Sequence, residues 1–97
     1  MSRRRYIVAY DIREAGRLRR VHDVVRGFGD SVQYSVFVCD LSKSELIDLR
    51  ARLTGVVELS EDSVVFIDLG EMTGRGRECF EFLGVGLPLP TGGPTIV

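Results

Sequence analysis

Three observations in the sequence predict an α+β fold. Segments with the two-residue alternation of strands take turns with segments of helical spacing, in the order strand, helix, strand, helix, strand. All of them fit within 97 residues, enough for one core with little room for a second. The composition, 44% apolar and 28% charged, is that of a globular chain and neither a disordered nor a membrane one.

The first strand is read over residues 5–12, a short run of β-branched and aromatic residues that stops at a carboxylate. Tyr6, Val8 and Tyr10 share one face, and Ile7, Ala9 and Asp11 the other. Val8 and Ala9 carry no polar side-chain atoms, so the middle of the strand is expected to be buried on both faces. Asp11 then stands at the carboxyl end of a core strand, where ligands and catalytic groups gather. The competing reading is that it caps the helical segment at 14–29. Position alone leaves both open.

Residues 12–16 form a loop, and a helix follows over 17–26. Leu18, Val21, Val24, Val25 and Phe28 have the spacing of a buried stripe. Arg19, Asp23 and Arg26 fall on the opposite face, where neighbours three and four apart can pair. Gly27 and Gly29 close the helix. His22 lies at the edge of the polar face and is read as solvent-exposed.

Residues 30–39 alternate, with Val32, Tyr34, Val36 and Val38 on one face and Gln33, Ser35, Phe37 and Cys39 on the other. This is one strand or two very short ones. Ser42 and Glu45 make a capping box, with Leu41 placed to staple onto Leu46. The second helix runs to about Thr54, with Leu46, Leu49 and Leu53 inward and Gly55 as C-cap. The serine and glutamate here are structural, not catalytic.

A third long strand is read at 62–69, with Val64, Val65, Phe66 and Ile67 buried. Residues 70–77 read as a glycine-rich turn region and 79–83 as a fourth strand. Residues 84–94 hold four glycines and three prolines, an extended arm, and Thr95, Ile96 and Val97 end the chain in β-formers. An apolar terminus needs cover, from the same domain or from a second copy. The division is therefore one domain at 1–83 and an arm at 84–97. Strands and helices in this order point to a ferredoxin-like α/β sandwich of the βαββαβ type.

Charge is distributed unevenly. Residues 1–27 carry eight arginines against three carboxylates, whereas the remainder carries five basic groups against eleven acidic ones. Twelve of the thirteen cations are arginine, the residue that grips phosphate bidentately. A basic segment on a near-neutral chain suggests an anionic partner at one face, and a solvated arginine-rich helix explains it equally well. Cys39 and Cys79 form no Cys-x-x-Cys pair and, with only His22 beside them, make a poor zinc site. They are read as small apolar fillers in strands. No apolar run is long enough to cross a bilayer, and residues 6–10 are too short for the apolar region of a secretory leader. A cytoplasmic protein is expected.

Two stretches narrow the reading further. Val8-Ala9-Tyr10-Asp11-Ile12, followed by an arginine-bearing helix, resembles the opening of the small dimeric CRISPR-associated nucleases of the adaptation (spacer acquisition) module. Gly29-Asp30-Ser31-Val32-Gln33-Tyr34-Ser35-Val36-Phe37 resembles the second signature of that CRISPR-associated endoribonuclease family, one short helix further on. The glycine-rich arm ending in Ile96-Val97 is similar to the family's C-terminal strand, so the resemblance covers essentially the whole chain. One departure stands out: a ferredoxin-like fold wants two strands between its helices, yet residues 29–41 contain no turn dipeptide. Either two very short strands or one bulged strand must serve.

The resemblance implies a homodimer with an extra C-terminal strand paired or exchanged between protomers, and metal-dependent cleavage of phosphodiester bonds in RNA or DNA. It implies that Asp11 binds the metal, Mg²⁺ or Mn²⁺, with Tyr10, Ser35 and Phe37 beside it in the catalytic site. Arg13, Arg17, Arg19 and Arg20 crowd the segment where the family carries basic residues for the nucleic-acid backbone. The partner implied is the CRISPR integrase. Alternatives are a non-catalytic DNA-binding scaffold for that integrase and a toxin-type ribonuclease of the same fold. A small-ligand regulator fits less well, because no phosphate-cradling glycine loop follows the first strand.

Overall fold

A computed structural model describes residues 3–86. Strand β1 (Arg4–Asp11) leads into helix α1 (Ala15–Arg26), then β2 (Asp30–Gln33), β3 (Val36–Leu41), α2 (Lys43–Thr54), β4 (Ser63–Glu71) and the short α3 (Arg75–Glu78). The strands form one antiparallel sheet in the order β2-β3-β1-β4. Both long helices pack on one face of it, which is the ferredoxin-like arrangement.

The core lies between the helices and that face. Val8 and Tyr10 of β1, Phe37, Cys39 and Leu41 of β3, Val21 and Val25 of α1, and Leu49 and Leu53 of α2 make up its buried cluster. Both helices form where their apolar spacing places them. The Ser42 hydroxyl accepts from the Glu45 amide at 3.2 Å, and the Glu45 carboxylate accepts from the Ser42 amide at 2.8 Å, a complete capping box.

Residues 30–39 are two strands, turned at Tyr34 and Ser35. The ladder slips between Ser31 and Gln33, so Val32 is buried with β2 while Tyr34 stands out in solvent. Chain reversal here uses neither glycine nor proline. Gly29 supplies the close approach instead: a Cβ on it would sit 2.3 Å from the Val38 carbonyl oxygen and 2.5 Å from Cys39 Sγ.

Two expectations need correction. Residues 79–83 form no strand; the chain turns through α3 and leaves the sheet, with Phe80 and Phe82 stacked at 6.4 Å. The fourth strand is β4 itself. Nor are β1 and β4 buried on both faces. Val65 and Ile67 are each 46% exposed, and Ile7 and Ala9, their register partners, are half-buried. With both helices on one side, the other face of β1 and β4 is left half open. The expected C-terminal strand with Ile96 and Val97, and most of the arm, lie outside the described residues.

Candidate functional site

At the carboxyl end of β1, Asp11 pairs across the ladder with Ser63 of β4, and the neighbouring Tyr10 amide donates to the Ser35 carbonyl at 3.1 Å. The ends of three segments thus meet here: β1, the start of β4, and the β2–β3 turn. Asp11 is exposed, and its carboxylate has no hydrogen-bond or ion-pair partner among the described residues. It does not cap α1. That role belongs to Glu14, whose carboxylate accepts from the amides of Gly16 at 2.8 Å and Arg17 at 2.7 Å. These donors hold the Glu14 carboxyl below its usual range.

Beside this end, Arg17 is committed to a carboxylate cluster. Its Nε donates to Asp62 Oδ2 at 2.7 Å, and its Nη2 reaches Glu61 at 3.0 Å. Asp62 also accepts from the amides of Arg13 at 2.9 Å and Glu58 at 2.8 Å, so one carboxylate ties the start of α1 to the loop before β4. The guanidinium beside it holds the Asp62 carboxyl far below the usual range. Arg17 therefore latches the site's frame. Arg13, Arg19 and Arg20 are exposed and pair with no carboxylate among the described residues.

This difference predicts separate phenotypes. A folded-state pKa below the unfolded one gives stability that is complete above about pH 4 and lost as pH falls through the folded value. Arg17→Gln removes that contribution. It should lower the thermal midpoint by several degrees at neutral pH and flatten the acid limb of the stability curve. Thermal melts between acid and neutral pH check this; a midpoint equal to wild type throughout would refute the latch.

Tyr10 and Phe37 lie on the helix side of the sheet, 7% and 1% exposed, with ring centroids 6.2 Å apart. Alternation along β1 puts Asp11 on the other side, so the four residues expected to act together are not brought to one surface. Burial pushes the Tyr10 phenol up. Tyr10 and Phe37 act as packing for the end of β1. Ser35 is half-buried at the turn, adjoining Tyr10 through its backbone. Cys39 is core, its thiol pushed up to about 12 by burial, and half-buried Cys79 follows α3 outside any strand.

Sequence reading missed His22. The ring is half-buried, with Nδ1 hydrogen-bonded to the Tyr10 hydroxyl at 2.9 Å and its edge against Phe37 at 5.3 Å. The signal was present: Leu18, His22 and Val25 have the spacing of one helix face. Asp62, the other omission, has no local signal, because its partner lies 45 residues away in sequence.

As a metal centre the site is sparse. No group of three His, Cys, Asp or Glu residues that could hold a metal occurs among the described residues. One open carboxylate fits a hard cation that keeps several waters and takes substrate phosphate oxygens. It does not fit zinc, which wants three or four protein ligands. No helix among the described residues is long and apolar enough to cross a membrane.

Residues 4–75 match the model of the family described as CRISPR associated protein Cas2. A Synechocystis protein named CRISPR-associated endoribonuclease Cas2 3 is 43% identical, covering 70% of this chain and 74% of its own. The Thermus thermophilus CRISPR-associated endonuclease Cas2 2 is 36% identical, covering 93% of this chain and 91% of its own. The crystal structure of Streptococcus pyogenes Cas2 superimposes with a TM-score of 0.71 at 33% identity, covering 82% of this chain and 99% of that one.

Proposed function

The chain belongs to the CRISPR-associated protein Cas2 family, and from that premise we propose that it is a nuclease of CRISPR spacer acquisition: a homodimer that binds RNA or DNA, cleaves it with Mg²⁺ or Mn²⁺, and partners the CRISPR integrase. The observation that carries the catalytic part is Asp11, an exposed carboxylate with no partner among the described residues, on a rigid strand end, its capping role taken by Glu14.

Asp11 would hold the cation, and one carboxylate per protomer is too few to fix it firmly. Two copies of Asp11 facing each other across a two-fold axis supply a pair. The half-open sheet face with Ile7, Val65 and Ile67 supports pairing, because a second copy would remove that apolar surface from water. When bound, the cation supplies Lewis-acid neutralisation of charge on the phosphoryl group and acidifies water for attack. Arg13, Arg19 and Arg20 hold the backbone phosphates on either side. Tyr10, Ser35 and Phe37 fix the strand end, and Arg17 fixes α1 against it.

RNA and DNA substrates incubated with Mg²⁺ or Mn²⁺ test this directly. Cleavage should stop in excess EDTA and return when the cation is restored. Cleavage that persists in EDTA would contradict the metal requirement. Binding should be insensitive to sequence and steeply salt-dependent. Arg19→Gln with Arg20→Gln should weaken binding to unrelated sequences alike and lower the salt slope by about one for each phosphate no longer neutralised. An unchanged slope would remove these arginines from the interface.

The scarcity of carboxylates favours a second reading, in which the dimer is a DNA-binding scaffold for the integrase. It predicts the same salt dependence with no cleavage.

A further inference from the structure

On the helix side of the sheet, between α1 and the β2–β3 turn, lies a pocket to which, Arg19 apart, the proposed hydrolysis assigns no contact with substrate. Its volume is about 320 Å³, and Tyr10, Ala15, Leu18, Arg19, His22 and Tyr34 line it. Apolar surface dominates, contributed by Ala15, Leu18 and the aromatic rings. Tyr34 is 78% exposed, an aromatic ring held in water where a polar turn residue would serve the backbone equally well. Arg19 pairs with no carboxylate among the described residues. The Tyr10–His22 bond at 2.9 Å fixes the imidazole by Nδ1, and Nε2 has no partner among the described residues.

A phosphate is best held by several cations and amide donors, and here a single guanidinium, Arg19, stands among walls that are mostly apolar and aromatic. A flat ring with π faces and hydrogen-bonding edges matches every feature: a ring to stack on, a guanidinium to lie over or beside it, and one fixed imidazole nitrogen for its edge. Bases in a duplex are already stacked and paired and cannot enter. We propose that this pocket receives one unpaired nucleobase of a single-stranded segment, stacked on Tyr34 beside Arg19, with its edge toward His22. Tyr34 is then a binding residue for single strands that holds no backbone phosphate, and Arg19 stands where the pocket meets the arginines that do. The inference rests on the nucleic-acid reading given above and deepens it.

The test compares a short single strand carrying 2-aminopurine with a blunt duplex of the same sequence, in EDTA so that neither is cleaved. Tyr34→Ala should lose roughly tenfold in affinity for the single strand and leave duplex affinity within about twofold. Tyr34→Phe keeps the stacking face and should match wild type on both probes. Wild type should quench the 2-aminopurine fluorescence on binding, and Tyr34→Ala should not. Equal loss on both probes, or no loss in Tyr34→Ala, would overturn the pocket's role while leaving nucleic-acid binding intact. If wild type binds neither probe, the pocket proposal and the nucleic-acid reading fall together.

Discussion

Asp11→Asn is expected to reduce metal-dependent cleavage by at least about a hundredfold, the scale on which a group that stabilises developing charge acts, with the fold unchanged. Asparagine has nearly the shape and hydrogen-bonding reach of aspartate but not its charge. In many proteins this substitution is ambiguous, because an aspartate at a strand end can also cap the next helix. Here the cap is Glu14, and the Asp11 carboxylate holds no ion pair or hydrogen bond among the described residues. An exposed substitution with no structural partner changes stability by about 0.5 kcal/mol or less. Initial rates at saturating Mg²⁺, with thermal midpoints of both proteins, separate the outcomes. An unchanged rate would take Asp11 out of the chemistry and favour the scaffold reading.

The second large effect is structural and lies at the other end of the same strand. Arg5 is 3% exposed, with Nε 2.7 Å from Asp40 Oδ1, Nη2 2.9 Å from Oδ2, and Nη1 donating to the Gly76 carbonyl at 3.1 Å. The pair joins β1 to β3 at register partners and ties both to α3. Asp40→Ala removes the carboxylate that accepts from two nitrogens of this buried guanidinium. The expected loss is about 2–3 kcal/mol, a substantial share of the roughly 5–15 kcal/mol that holds a small domain folded. Replacing both members, Arg5→Met with Asp40→Leu, should recover much of it, because the buried charge goes too. Denaturant midpoints give the answer. A loss below about 1 kcal/mol in Asp40→Ala would mean that Asp40 is not what offsets the burial of Arg5.

Local chemistry was legible in the sequence wherever it was self-contained. The Ser42–Glu45 box marked the start of α2, and apolar spacing marked both helices. The break in residues 30–39 was only half visible, since Tyr34-Ser35 is no turn dipeptide and the feature that makes room, Gly29 against Val38 and Cys39, is a contact between strands. Residues 79–83 alternate like a strand, but they form none, and Phe80 and Phe82 stack on one another. Alternation cannot reveal which face has a partner. For the site, Asp11 was legible because it ends an apolar strand. The same alternation already set Tyr10 on the opposite face, against the grouping that the family resemblance implied. The arginines looked alike in sequence; only the fold separates Arg17, committed to Asp62, from Arg19 and Arg20.

A catalytic centre completed by two copies of Asp11 is tested most directly by subunit mixing. Wild type and Asp11→Asn chains, unfolded together in equal amounts and refolded into random dimers, give about one quarter wild-type homodimer and one half mixed dimer by chance pairing. If both copies are needed, the mixture should cleave at about a quarter of the rate of the same total amount of wild type. A rate of about one half would mean that each protomer works alone, and would contradict the shared centre.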